Sequence, residues 1–192
     1  PGPAMGLCGT RYCLENPEFF ETQLRALLRA GVLGNLYLLL PMVSTRAEQD
    51  RAAEAVERAK AALRERGTAF SETVPIGLSL DTPAAALTAD ELARRAAFFH
   101  LNTDTLGEHT FAVDRDDLEA RKYLPPLSPA IFRLIRFAVD AARQAHIPLC
   151  ICGENASRPV LAETYVRAGI RTFSLPPREM LAVKAFLMGV TL

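Results

Sequence analysis

Short apolar runs, each followed by a polar turn and then by a helical pattern, recur along the whole 192-residue chain. The runs occupy residues 36–40, 74–80, 98–101, 149–151 and 172–175. The continuous apolar runs at 36–40 and 149–151 are typical of strands that are covered on both faces, as they are in parallel sheets. Strands that alternate with helices in this order predict a parallel α/β fold.

The helical patterns between these runs have recognisable ends. They cover residues 17–30, 46–66, 84–95, 128–145, 159–168 and 178–187. Proline near the start of several of them favours a helix beginning there. Proline has no N–H group, and the N–H groups of the first turn have no partner within the helix in any case. Glycine after the end of others is typical of a helix terminus. Residues 1–16 and the stretch after residue 105 lack such a pattern. We therefore predict an irregular N-terminal segment and a long polar loop.

Two architectures fit this alternation of strands and helices, an open doubly wound sheet and a (β/α)8 barrel. Five strands are too few to close a barrel, whose usual size is about 250 residues. We therefore predict an α/β fold in the form of a partial (β/α)8 TIM-type barrel, with about five parallel βα units in a single domain over residues 1–192. The apolar run at 36–40 would be a poor free edge, so we expect a missing N-terminal segment or a partner chain to cover it.

The charge balance limits the classes of partner. Twenty-two basic and twenty-two acidic residues give a formal net charge of zero, which provides no broad electrostatic surface for nucleic acid or an anionic membrane. No apolar run approaches the roughly 20 residues that a membrane span needs. Residues 1–3 also lack the charged and apolar regions of a signal peptide. We predict a cytoplasmic protein.

One thiol stands out by its position. Cys152 follows the apolar run at 149–151 and precedes Gly153, so it should lie at the carboxyl end of a buried strand. Chemistry in α/β folds is placed at that end of the strands. The spacing of Cys150 and Cys152 is too short for the usual zinc pair, and reduced thiols are expected. Cys152 is therefore a candidate acid.

Several ordered blocks of the sequence carry a resemblance to a known family. They are residues 23–30, 41–44, 76–77, 82–86, 98–99, 112–115, 127–130 and 152–156. The blocks resemble the C-terminal part of the phosphoenolpyruvate-binding barrel of the phosphoenolpyruvate-utilising enzymes. That family includes enzyme I of the bacterial phosphotransferase system, phosphoenolpyruvate synthase and pyruvate phosphate dikinase.

The resemblance implies a chemistry. Barrels of this family bind phosphoenolpyruvate through Mg²⁺ and arginines, pass its phosphoryl group to a histidine on a separate domain, and protonate the enolate with a cysteine. A multiply charged anion needs such cations, and its enolate carbon needs an acid. Cys152 resembles the catalytic acid and Arg115 a phosphate-binding arginine, while Glu154 stands in the usual place beside the cysteine.

The chain departs from the family pattern at the residues that bind metal and substrate. Asp81 stands where the family has a metal-binding glutamate, and Thr105 replaces the second metal carboxylate. Asp104 replaces an asparagine that contacts the substrate. Near the N-terminus, Cys8 stands where the family has an arginine, and Arg11 is retained. The strands that carry two further substrate arginines, and the phosphohistidine domain, are expected outside this chain.

These departures leave two hypotheses of different class. In one, the chain is an active half of a phosphoenolpyruvate–protein phosphotransferase that uses Mg²⁺ and Cys152. A metal would then be held by Asp81 with the help of Asp104, since Mg²⁺ needs only one or two carboxylates plus water. In the other, the chain keeps the fold, binds phosphoenolpyruvate or a related phosphorylated or carboxylate ligand weakly, and acts in regulation or as a homodimer. The altered metal residues favour the second hypothesis.

Some of these residues also have plain structural interpretations. Cys152 could be a small packed side chain, and Asp81 could cap the helix that follows it. We predict ordinary packing for His100 and exposure for His109, since no third partner stands at a recognisable spacing from them.

The charged residues of the later loops are predicted to be solvated. Asp114, Asp116 and Asp117 do not have the spacing of a calcium loop, and Arg115 could pair with them. Arg158 stands where the family has an acidic residue. This residue therefore indicates a local reversal of charge rather than a new site.

Overall fold

The computed structural model of the chain describes residues 5–125 and 128–190, and its centre is one sheet of five parallel strands. The strands are β1 Leu38–Leu40, β2 Ile76–Leu80, β3 Phe99–Asn102, β4 Leu149–Cys152 and β5 Thr172–Phe173. They lie side by side in chain order. Because each strand runs parallel to the one before it, all the carboxyl ends lie along one edge of the sheet. The predicted α/β fold with five βα units is confirmed.

Helices precede the first strand, connect the strands and follow the last one. They are α1 Thr10–Glu15, α2 Pro17–Ala30, α3 Arg46–Glu65, α4 Pro83–Leu87, α5 Ala89–Ala93, α6 Thr103–Phe111, α7 Pro129–Gln144, α8 Pro159–Arg167 and α9 Pro177–Met188. Helix α3 begins with a capping box, in which the side chains of Thr45 and Glu48 each accept a hydrogen bond from the other's backbone N–H. Within the described residues, every helix is too short or too polar to cross a membrane.

The two faces of the sheet differ because side chains alternate along a strand. Leu78, Phe99 and Ile151 lie on one face and are fully buried in the same core cluster as the apolar side chains of the helices. The other face, which would line the inside of a barrel, carries Ser79 and His100 in one row with Cys150. That row places polar groups directly below the carboxyl edge of the sheet.

Three predictions about local structure are wrong. The N-terminal segment is not irregular throughout, because α1 forms at Thr10–Glu15 and packs on α2 and α3. Residues 84–95 form two short helices, and the break is at Thr88, whose hydroxyl donates back to the Ala84 carbonyl at 2.9 Å. The polar stretch after β3 begins with α6, because the Asn102 side chain accepts hydrogen bonds from the first N–H groups of that helix.

Parts of two predictions fall outside the described residues. Residues 1–4 of the predicted irregular segment are among these. So is the start of the family block at 127–130, from which the structure describes residues 128–130.

Candidate functional site

The polar side chains predicted from the sequence lie at the carboxyl edge of the sheet. Cys152 is the last residue of β4, Asp81 follows β2 directly, and Asp104 lies in the first turn of α6, just after β3. In the sheet register Cys152 pairs with Asn102, the last residue of β3. The order of the strands therefore places the thiol next to the end of β3, which leads into Asp104, and one strand further from Asp81.

The thiol of Cys152 lies beside an imidazole that the sequence did not assign to the site. Its Sγ is 3.5 Å from Nδ1 of His100. Burial raises the pKa of Cys152 to about 12, and the nearby thiol of Cys150 and the carboxylates of Asp104 and Asp81 add to the shift. A thiol with this pKa is protonated at neutral pH. It can donate a proton but is a poor nucleophile.

His100 is half-buried, which agrees with its predicted packing. Burial lowers the pKa of His100, although the negative charge of Asp81 opposes the shift. Lowering the pKa favours the neutral imidazole. A neutral ring nitrogen can accept the S–H hydrogen of Cys152 and so orient it.

The loop after β4 is fixed on the start of α6. Thr103 Oγ1 donates to the Cys152 carbonyl at 2.9 Å, and the Glu154 N–H donates to Asp104 Oδ2 at 2.7 Å. Gly153 has a φ of 106°, and a Cβ atom there would collide with Thr103 Oγ1 and approach Asp104 Oδ1 to 2.8 Å. A larger residue would strain this backbone and displace the side chains of Thr103 and Asp104, which make the two hydrogen bonds that hold the loop on α6.

Asp81 is buried and connects β1 to β2. Only 4% of the residue is exposed, its Oδ2 accepts the Met42 N–H at 2.8 Å, and its Oδ1 accepts the Ser79 hydroxyl at 2.7 Å. The cap of α4 is instead Thr82, whose hydroxyl accepts the Ala85 N–H. The interpretation of Asp81 as a helix cap is therefore wrong.

His109 is also placed differently from its prediction. It is half-buried rather than exposed, and its Nδ1 lies 2.8 Å from the Asp81 carbonyl oxygen. The reason is that α6 begins directly after β3 and passes over the end of β2. Local sequence patterns could not predict this contact, because His109 and Asp81 are 28 positions apart in the chain.

The donors around Asp81 do not fit a Mg²⁺ site of the kind that the resemblance implies. Both oxygens of the Asp81 carboxylate already accept hydrogen bonds from the protein. Thr105 offers a neutral hydroxyl where Mg²⁺ prefers a carboxylate. In the part of the chain that the structure describes, no group of three or more His, Cys, Asp or Glu side chains is arranged to hold a metal ion.

Arg115 reaches the same edge from the loop after α6. Its Nη1 lies 3.8 Å from Asp104 Oδ2, and its Nε lies 3.6 Å from Glu108 Oε1. The Arg115 backbone N–H also donates to Glu108 Oε1 at 3.0 Å. Glu108, which the sequence analysis missed, is buried and therefore acts as an anchor for this loop. Asp114, Asp116 and Asp117 are exposed, as predicted.

Arg11 and Glu154 lie further from the thiol. Arg11 donates to Glu48 Oε1 at 2.9 Å and to the Ser44 hydroxyl at 3.1 Å, beyond the end of β1. The Ser44 hydroxyl lies 2.7 Å from that of Thr82, so this contact joins the ends of β1 and β2. The Glu154 side chain is 85% exposed and its nearest cation is Arg121, at 4.0 Å. Only the backbone of Glu154 contributes to the loop that holds Cys152.

The whole chain matches one family. The family model described as "PEP-utilising enzyme, PEP-binding domain" matches residues 2–192. A phosphoenolpyruvate-protein phosphotransferase from Cupriavidus necator is 36% identical over 182 residues, which cover 95% of this chain and 31% of that protein. The enzyme of the same name from Geobacillus stearothermophilus is 36% identical over 185 residues, which cover 96% of this chain and 32% of that protein. The chain thus spans about a third of the length of these curated relatives.

A solved structure shows the same fold at low sequence identity. It is a citrate lyase from Burkholderia xenovorans, with a TM-score of 0.62 and 18% identity. The match covers 86% of this chain and 53% of the lyase chain. The parallel sheet, the ordered blocks of sequence and the match over residues 2–192 agree, and the chain therefore belongs to the phosphoenolpyruvate-utilising enzymes, whose phosphoenolpyruvate-binding domain it matches.

Proposed function

We propose that this chain is the phosphoenolpyruvate-binding segment of a protein related to phosphoenolpyruvate–protein phosphotransferase. The observation that carries the proposal is the arrangement at the carboxyl edge. A protonated Cys152 thiol lies next to the loop that holds Asp104, and Arg115 lies beside Asp104. These are the residue types that an enolate acid and a phosphate site require.

The proposal assigns a role to each of these side chains. Arg115 binds an oxygen of the phosphate group, because its guanidinium is half-exposed and makes only long contacts to carboxylates. Cys152 faces the carbon that becomes the methyl group of pyruvate. In a complete reaction the P–O bond of phosphoenolpyruvate breaks, the phosphoryl group passes to a histidine outside this chain, and the enolate takes its proton from Cys152.

The segment alone binds this ligand and catalyses weakly or not at all. The Asp81 carboxylate already accepts hydrogen bonds from Met42 and Ser79, so it is not free to bind a metal. Asp104 adds a negative charge beside Arg115, which repels a phosphate group. Loss of one such stabilising interaction typically costs on the order of a hundredfold in rate. A cytoplasmic location stays a prediction of the sequence, and a homodimer and a phosphohistidine domain outside this chain stay predictions of the family resemblance.

Calorimetric titration with phosphoenolpyruvate in the presence of Mg²⁺ tests the binding function. We expect the affinity to fall about tenfold in the variant Arg115→Gln, because a charge-assisted hydrogen bond is lost. Arg143→Gln is the matched control, since Arg143 lies on α7, is 74% exposed and, within the described part of the chain, forms its ion pair with Asp140. An unchanged affinity in Arg115→Gln, or no binding by the wild-type chain, contradicts the proposal.

A second function, catalysis by the intact phosphotransferase, is favoured by the contact between Cys152 and His100. Its test is pyruvate release after a histidine-bearing domain of the same family is added. Cys152→Ala should abolish any release, whereas Cys150→Ala, on the same strand and face, should retain it. Equal release by both variants would refute the role of Cys152.

A further inference from the structure

Three arginines from separate segments line one cleft at the carboxyl edge of the sheet. Arg115 comes from the loop after α6, Arg121 from the 3-10 helix Arg121–Tyr123, and Arg158 from the residue before α8. The cleft has a volume of about 250 Å³. We call it the arginine cleft and define it by these three residues.

The guanidinium groups of the arginine cleft are weakly paired. The contacts of Arg115 to carboxylate oxygens are 3.6 and 3.8 Å, and that of Arg121 is 4.0 Å. A charge-assisted N–H···O hydrogen bond is about 2.7–2.9 Å long. Among the described residues, Arg158 has no ion-pair partner within 4 Å. The donors of all three side chains are therefore open to an incoming anion.

The acidic residues of the cleft do not cancel these charges. Asp104 and Glu154 line it together with the arginines. Asp104 Oδ2 already accepts the Glu154 N–H at 2.7 Å, and the Glu154 carboxylate is largely in water. Asp104 and Glu108 both lie near Arg115, and the solvent-screened Glu154 lies near Arg121. Among the described residues no carboxylate lies within 4 Å of Arg158, so the positive potential of the cleft is strongest there and attracts an anion.

The cleft adjoins the site described above. Thr103 lines the arginine cleft, and its hydroxyl donates to the Cys152 carbonyl. Thr103 therefore contacts both the cleft and the strand that carries the thiol. The buried Tyr165 also lines it. Burial raises the pKa of Tyr165 to about 12, the charge of Asp104 raises it further, and Arg158 opposes the shift. Arg158 and Asp104 thus lie within electrostatic reach of the same hydroxyl group.

This arrangement offers an alternative to a divalent cation. The donors around Asp81 do not fit Mg²⁺, yet a phosphate ester needs positive charge to replace its water. Guanidinium groups bind phosphate in pairs of parallel hydrogen bonds and stay charged at every accessible pH. Arg158 adds such a group in place of the acidic residue that the family has at this position.

We propose that the arginine cleft binds a phosphate group through Arg115, Arg121 and Arg158 without a divalent cation. The choice of phosphoenolpyruvate as the natural carrier of that phosphate rests on the proposed function. The cleft itself recognises the phosphate, so inorganic phosphate is a second ligand.

Calorimetric titrations with phosphoenolpyruvate and with inorganic phosphate, each in EDTA and in excess Mg²⁺, test this proposal. In EDTA we expect both ligands to bind the wild-type chain. Arg158→Gln should weaken both by about 10- to 100-fold, the range for one charge-assisted hydrogen bond. The exposed control Arg143→Gln should bind as the wild type does. Arg121→Gln serves as the second test variant, and circular dichroism checks that each variant is folded.

The outcomes separate this inference from the proposed function. Binding of phosphoenolpyruvate only in Mg²⁺ would overturn metal-free binding and leave the proposed function standing. Binding of phosphate in EDTA that Arg158→Gln weakens, with no binding of phosphoenolpyruvate, would support the arginine cleft and refute the proposed function. Equal affinities for the wild type, Arg158→Gln and Arg121→Gln would overturn the cleft.

Discussion

Replacing Asp81 distinguishes a structural carboxylate from a metal ligand. In the structure this side chain accepts one hydrogen bond from the Met42 backbone and one from the Ser79 hydroxyl. Both donors belong to buried residues. We compare two variants, Asp81→Ala, which removes both acceptors, and Asp81→Asn, which keeps the shape of the side chain.

The expected free energies follow from these contacts. In Asp81→Ala two buried donors lose their partner, at about 1–3 kcal/mol each. Met42 is held at a φ of 61°, and releasing it returns about 1–2 kcal/mol. The midpoints of these ranges, about 4 kcal/mol lost and about 1.5 kcal/mol returned, leave a net loss of about 2.5 kcal/mol in the free energy of unfolding. In Asp81→Asn the amide oxygen still accepts from Met42, and its NH2 group can donate to the Ser79 hydroxyl, so the loss should be about 1 kcal/mol.

Urea unfolding followed by circular dichroism measures both values, provided that the slope with denaturant stays constant. Asp140→Ala is the control, because Asp140 makes an exposed ion pair with Arg143 and should change stability by no more than about 0.5 kcal/mol. A loss in Asp81→Ala as small as that of the control would refute the structural role. If Asp81→Asn kept its stability but lost a Mg²⁺-dependent binding of phosphoenolpyruvate, Asp81 would be a metal ligand after all.

Two further predictions concern the groups next to each other on the inner face. With a pKa of about 12, only a fraction on the order of 10⁻⁴ of the Cys152 side chains is thiolate at pH 8. Because iodoacetamide reacts with the thiolate, it should label Cys152 at least a hundredfold more slowly in the folded chain than in urea. Peptide mass spectrometry measures the rates, and equal rates in both states would contradict the buried thiol. The pKa of His100 is lowered on folding by burial, against the opposing charge of Asp81. The neutral form therefore stabilises the fold above the unfolded pKa of about 6.5, and that contribution is lost as the pH falls through the lower folded pKa. Urea unfolding measures the free energy of unfolding at pH 7.5 and at pH 5.5. The decrease between the two pH values should be smaller in His100→Asn than in the wild type. An identical decrease in both proteins would refute the lowered pKa of His100.

Local patterns in the sequence were sufficient to predict the sheet. Each strand lies within one of the mainly apolar runs, and several helices have recognisable start residues, such as Thr45 with Glu48 for α3. These signals act within a few residues, so they survive without knowledge of the rest of the fold. Helix α6 was missed because its capping residue, Asn102, is also the last residue of a strand.

The roles of single side chains were predicted less well. The thiol of Cys152 was singled out by its position at the end of a predicted strand and the guanidinium of Arg115 by the family blocks, and the structure places both at the carboxyl edge. The contact of His109 with the Asp81 carbonyl and the burial of Glu108 were not predicted. Both depend on how α6 packs over the sheet, which no spacing along the chain encodes.

The sequence by itself determined the alternation of strands and helices, the parallel sheet and the family, because apolar periodicity, caps and ordered motifs are properties of neighbouring residues. Tertiary structure alone decided that Asp81 is enclosed by Met42 and Ser79, that His100 lies against Cys152, and that Arg158 joins two other arginines in one cleft. Hydrogen bonds and charges act between groups that are close in space, and residues 40 or 50 positions apart become neighbours only when the strands pair.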